Sequence, residues 1–166
     1  MNRYFNFEEA HTKAILEKVK KWRFKIIAHF HSGFIGETND EIYLSLDVLD
    51  KCINLINFDR IAHALALTPK VKDTAYTNKL REILLYKIIE KGICIETCPL
   101  VFIRSNSIEE YKNAAVHYWM KFKNLKVALG TDGLWTYPTS LSKEIVKLYI
   151  SDKNFVTLKD YKKICM

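Results

Sequence analysis

Four short apolar segments alternate with helical patterns along this chain, and each segment closes on polar residues. That alternation restricts the fold more than any other feature. The segments are Phe24–Phe30, Phe58–Ala62, Gly92–Thr97 and Leu125–Gly130. Near-continuous apolar runs of this length read as strands of a parallel sheet with both faces covered. Asn39 or Asp40 can cap a helix whose Ile42, Leu46, Leu49, Ile53 and Ile56 recur at three- and four-residue steps. Leu80, Ile83, Leu84 and Ile88 repeat the pattern, and Ile108 to Met120 reads as a third helix, with Ala115 and Trp119 four apart. After Pro138, a helix is expected from Thr139 or Ser140, burying Leu141, Ile145 and Leu148. An opening helix over roughly Phe7 to Trp22 and a last one begun by the capping-box pattern Thr157-Leu-Lys-Asp160 complete the order α-β-α-β-α-β-α-β-α-α.

Such alternation means parallel strands joined by helical crossovers. Four strands make either an open sheet or half of a barrel. The 166 residues are too few for a whole (β/α)8 barrel, which takes about 250 and seldom fewer than about 200. Neither a repeat, a low-complexity stretch nor a linker divides residues 1–166, so one domain is expected. Hydrophobic residues at 49% and charged ones at 27% give a globular chain. Lacking an apolar run of about 18, it is not expected to enter a membrane. The acidic, non-apolar N-terminus and the four cysteines without zinc-finger or C-x-x-C spacing point to reduced thiols and a cytoplasmic protein. The net charge of +7 is spread over helices instead of forming a block, which argues against nucleic-acid binding.

Polar residues decide between sheet and barrel. His31, His63, Glu96 and Asp132 all fall at or just past the C-terminal ends of successive strands, the edge where reactive groups converge in a parallel barrel. Each alone has an ordinary explanation: a hydrogen-bonding histidine, a satisfied barrel carboxylate, an aspartate in a Gly-Thr-Asp-Gly turn. Together, two histidines and an aspartate on three strand ends form a donor set suited to Zn²⁺ or a similar ion.

The motifs read His31-Ser32-Gly33, Arg60-Ile61-Ala62-His63-Ala64, Glu96-Thr97-Cys98-Pro99 and Gly130-Thr131-Asp132-Gly133. In order and in placement this series resembles the last four strands of the adenosine deaminase family. There the fifth strand is followed by His-Ala-Gly-Glu, the sixth by Arg-(Ile/Leu)-Gly-His-Gly, the seventh by Glu-x-Cys-Pro and the eighth by (Asn/Gly)-Thr-Asp-Asp. The resemblance covers roughly residues 24 to 165 and implies an α/β fold that is the C-terminal half of a TIM-type (β/α)8 barrel, strands five to eight. It implies hydrolytic deamination of a purine nucleoside with zinc or a similar divalent metal. His31 and Asp132 would be metal ligands, His63 the catalytic histidine, and Gly33 and Gly133 substrate-binding positions.

Departures from the family pattern are as specific. Phe34 stands where the family has its ring-protonating Glu; Glu37, three residues on, is the alternative acid. Gly133 replaces a second Asp, Ala62 and Ala64 replace the glycines flanking the histidine, and His117-Tyr118 stands for a His-Pro. The first-strand His-x-His, two metal ligands in the family, has no counterpart ahead of strand five, unless His29-Phe30-His31 is itself that motif. An N-terminal partner chain or a homo-oligomer could complete the barrel. Other metal-dependent amidohydrolase chemistry is a rival reading, and a non-catalytic remnant or interaction subunit is another.

Overall fold

The computed structural model describes residues 14–15, 17–19, 21–22, 27–30, 39–56, 58–69, 73–133 and 136–152. Four parallel strands, β1 (Ile27–Phe30), β2 (Arg60–His63), β3 (Cys94–Thr97) and β4 (Lys126–Leu129), form one sheet in the order β1-β2-β3-β4. The register aligns Ile27 with Arg60, Cys94 and Lys126, and Ala28 with Ile61, Ile95 and Val127. Crossovers between parallel neighbours are right-handed. With spatial order equal to chain order, successive right-handed crossovers stack their helices on one face of the sheet, as in a singly wound barrel.

The burial pattern agrees. Ile61, Ile95, Val127 and Leu129 point to one face and are buried against the helices. On the other face Arg60, Cys94, Glu96 and Ala128 are half-buried and Lys126 is exposed. Helix α1 (Asn39–Leu55) contributes Ile42, Leu46, Leu49 and Ile53 to the core, and Ile56 packs beside them. Their three- and four-residue spacing is the stripe expected from the sequence, and each such side chain stabilises the fold by about 1.5–3 kcal/mol when fully buried.

Helix α2 (Ala75–Glu90) starts at a capping box. The Thr77 backbone N–H donates to the Thr74 hydroxyl at 3.1 Å, and the Thr74 N–H donates to the Thr77 hydroxyl at 2.9 Å. It stops at Gly92 (φ +65), where the Gly92 and Ile93 N–H groups bond back to the Ile89 and Ile88 carbonyls. This Schellman arrangement needs the left-handed backbone that glycine tolerates, and it turns the chain into β3. The buried face is rotated from the expected one. Leu84 and Ile88 are buried, but Ile83 is exposed, and Leu85 and Arg81 take its place.

Between β3 and β4 the expected single helix over Ile108–Met120 is replaced by α3 (Pro99–Arg104), a 3-10 turn (Tyr111–Asn113) and α4 (Ala115–Trp119). Pro99 provides a first-turn proline, which lacks an N–H where none is needed. Helix α5 (Leu141–Ser151) is capped by Ser140, whose hydroxyl accepts the Lys143 N–H at 3.3 Å. Leu148 is buried and Ile145 partly so, whereas Leu141 stands exposed. Residues 14, 15, 17–19 and 21 of the expected opening helix are helical. The capping-box segment at Thr157 lies outside the described residues. No helix among those described is long and apolar enough to cross a membrane.

Candidate active site

Strand β2 ends on two consecutive left-handed residues, His63 (φ 74) and Ala64 (φ 41). Neither is glycine, and such backbone costs on the order of 1 kcal/mol or more per residue and persists only where surroundings enforce it. The enforcement is visible one turn on, where the 3-10 helix Leu65–Leu67 is held from two sides. Arg81 Nε donates to the Ala66 carbonyl at 2.9 Å, and Trp119 Nε1 donates to the Leu67 carbonyl at 3.1 Å. Arg81 is wholly buried and its guanidinium is matched by Asp73 Oδ1 at 2.9 Å and Asn78 Oδ1 at 2.8 Å.

The outcome is a fixed imidazole. The His63 side chain is 8% exposed, packs edge-on to Phe102 at 5.7 Å, and brings Nε2 to 4.0 Å from Asp132 Oδ2. Asp132 follows β4 and is also left-handed (φ 55), with its side chain 39% exposed. Two strand ends separated by β3 thus converge on one point. At 4.0 Å the pair is too long for a direct hydrogen bond, and one oxygen shared between them fits the gap.

Glu96, on the less covered face, takes Arg60 Nη1 at 2.9 Å. Beside it Gly130 is in tight space: a Cβ there would come to 3.0 Å from Cys98 Sγ and 3.2 Å from Glu96 Oε1, so these side chains would have to give by a few tenths of an ångström. Burial, then the Glu96 and Asp132 carboxylates, push the Cys98 thiol up to about 12, which argues against a thiolate nucleophile near neutrality. Gly133 is different. Among the described residues a Cβ would meet only Thr136 Oγ1 at 3.8 Å, an ordinary contact, and the Gly133 carbonyl accepts the Thr136 and Tyr137 N–H groups.

On α5, the 1%-exposed Glu144 ties together α3, the 3-10 turn at Tyr111 and the segment ahead of its own helix. Its carboxylate accepts the Leu100 N–H at 3.2 Å, the Tyr111 hydroxyl at 3.0 Å and the Thr139 hydroxyl at 2.7 Å. Sequence reasoning missed this hub and the Arg81–Asp73 pair. The signal was there for Arg81, a cation on the same helical face as Leu84, Leu85 and Ile88.

Of the residues singled out beforehand, His63, Glu96 and Asp132 stand at the C-terminal edge of the sheet, and the structure brings His63 and Asp132 together. His31, Gly33, Phe34 and Glu37 lie outside the described residues. Among those described, no three His, Cys, Asp or Glu side chains are grouped to hold a metal.

No family model matches this sequence, and no curated protein matches it either. A solved structure does resemble it: the adenine deaminase from Arthrobacter aurescens, at 11% identity and a TM-score of 0.50. The match takes in 99% of this chain and 49% of that one. The likeness is one of fold. It sets the α/β arrangement beside an enzyme about half of whose length this chain spans, consistent with part of a TIM-type fold.

Proposed function

We propose that the chain is the strand-five-to-eight half of a deaminase-like (β/α)8 barrel, acting in metal-dependent hydrolytic deamination of a purine nucleoside or related amine. The observation that carries this reading is the convergence of His63 Nε2 and Asp132 Oδ2 to 4.0 Å from two separate strand ends. The motif series and the adenine deaminase neighbour support it.

The described donors alone do not fit a metal, since His63 and Asp132 are only two. A closed site needs about four ligands, so His31 and residues beyond this chain are assigned the remainder. Zinc, when bound, lowers the pKa of its water toward neutrality. The chain's own part is clearer. Asp132, partly exposed, accepts a proton or orients an oxygen. His63, locked by its turn and by Phe102, presents Nε2 to that same oxygen and can hold or return the proton. Ring protonation needs an acid, and general acid catalysis contributes about 10² to 10⁴ in rate. Phe34 cannot supply it, so the unaltered chain is expected to be inactive unless Glu37 does.

The test is ammonia release from adenosine, deoxyadenosine and adenine with added zinc. The unaltered chain should match the metal blank, and Phe34→Glu should turn over when assayed with a chain that supplies the missing first-strand His-x-His ligands, with turnover lost in Phe34→Glu/His63→Ala. Turnover by the unaltered chain that vanishes in Glu37→Gln moves the acid to Glu37. No turnover in any arm overturns the catalytic reading. It favours the second one, an interaction subunit, to which Phe34 and Gly133 already point.

A further inference from the structure

We propose that Glu144 is a positioning residue for the strand-end pair, setting the gap between His63 and Asp132 from outside the site. The inference rests on the site reading above, since that pair is what it places. Glu144 belongs to the first turn of α5, yet the three partners of its carboxylate among the described residues all lie outside that helix. Ser140 already caps α5. Glu144 Oε2 accepts the Leu100 N–H of α3, and Oε1 accepts the hydroxyls of Tyr111 and Thr139. A carboxylate buried this deeply costs more than an apolar side chain unless donors satisfy it. Here the donors come from the segments that follow β3 and β4, so satisfying the carboxylate also fixes those segments to one another.

Each segment leads to one member of the pair. Two residues after Leu100 comes Phe102, a buried ring that stands edge-on to His63 at 5.7 Å. Leu100 and Phe102 share the short helix α3, so the grip on the Leu100 N–H holds the ring against which His63 packs. On the other side, Thr139 lies two residues beyond Tyr137, whose N–H donates to the Gly133 carbonyl at 2.8 Å. Gly133 adjoins Asp132. One carboxylate thus joins the wall beside His63 to the segment that follows Asp132, and the two groups face each other across 4.0 Å. A misplacement of about 1 Å between reacting groups can cost about 10²-fold in rate, so the length of this strut matters to chemistry at the pair.

Nuclear magnetic resonance of the full chain reads the two paths separately. The ring-to-ring cross-peak of Phe102 and His63 reports one, and the Asp132 amide shift reports the other. The Arg81 Nε–H signal, from the bond to Ala66 made by a different helix, reports the rest of the fold. Glu144→Gln keeps an acceptor for Leu100 and offers an amide N–H to the hydroxyls, so both reporters should stay in place. Glu144→Ala should lose the cross-peak and shift the Asp132 amide while the Arg81 signal holds. Thr139→Val releases one arm and should shift the Asp132 amide with the cross-peak retained. Should Glu144→Ala not fold, Thr139→Val and Glu144→Gln decide. A folded Glu144→Ala that keeps either reporter in place overturns the inference, as does an unmoved Asp132 amide in Thr139→Val or a disturbed reporter in Glu144→Gln. A loss that takes the Arg81 signal with it is general loosening and overturns it too. None of these signals reads turnover, so a failed strut leaves the deaminase reading standing, and an inactive chain leaves the strut standing.

Discussion

Ala64 shows how a single position carries the strain of the site. Its φ of 41 is left-handed, and it is completely buried. Replacing it with glycine relieves the strain but forfeits a buried methyl, about 0.8 kcal/mol, and adds unfolded-state freedom, about 0.5–1 kcal/mol. These offset, so Ala64→Gly should be near neutral. Ala64→Val has no such compensation. A β-branched side chain is a rare outlier at left-handed φ, and the packed surroundings add an overpacking cost of about 1–3 kcal/mol. Urea unfolding should therefore find Ala64→Val destabilised by more than about 2 kcal/mol. A change below half of that would mean the turn relaxes freely and does not fix His63.

At the scale of elements, α2 is tied to the turn after β2 by Arg81, whose Nε donates to the Ala66 carbonyl while its guanidinium forms a buried ion pair with Asp73. Arg81 and Asp73 are 0% and 1% exposed in their side chains. Removing one partner strands a charge, which typically costs about 3–5 kcal/mol, whereas apolar replacement of both is often tolerated. Asp73→Ala should lose stability on that scale, and Arg81→Met/Asp73→Leu should recover part of it in the same denaturation assay. A loss below about 1 kcal/mol in Asp73→Ala would show that Asn78 and the Ala66 carbonyl suffice for the guanidinium. The elements differ in how far they were legible. Helix α1 was readable because its apolar spacing is regular and it packs on one surface. Helix α2 was read rightly at Leu80, Leu84 and Ile88 and missed at Ile83 and Arg81, because burial of Arg81 depends on Asp73, eight residues earlier in sequence, which no periodicity reports. The segment 108–120 failed for a related reason. Tyr111 answers to Glu144, 33 residues later, and a tertiary bond of that span overrides local helix preference. His63, Glu96 and Asp132 were readable as strand-end residues, and His31 lies outside the described residues. The left-handed backbone at His63 and Ala64 was not, because alanine there gives no glycine signal.

For the molecule as a whole, His117 sets an acid limit. It is buried, with Nε2 at 3.1 Å from the Tyr111 carbonyl. Burial lowers its pKa, against the opposing pull of that carbonyl and of Asp152. A histidine depressed in the folded state binds protons more readily once unfolded. Its contribution to stability is then complete above the unfolded value of about 6.5 and is lost as pH falls through the folded one. Thermal melts should show the midpoint dropping below pH 6.5, with a shallower drop in His117→Gln. An identical slope in both proteins would assign the acid sensitivity to other groups.

The two bonds that hold the His63 turn also impose a timetable. Arg81 lies 15 residues beyond Ala66, and Trp119 lies 52 beyond Leu67. A chain made from its N-terminus exposes His63 early, yet it lacks the indole that anchors the turn until Trp119 has been added, 52 residues beyond Leu67. A ribosome-stalled chain ending before Trp119 therefore carries the histidine on a turn held at one point only. Its imidazole reaches its final place late in synthesis, after the strand that bears it.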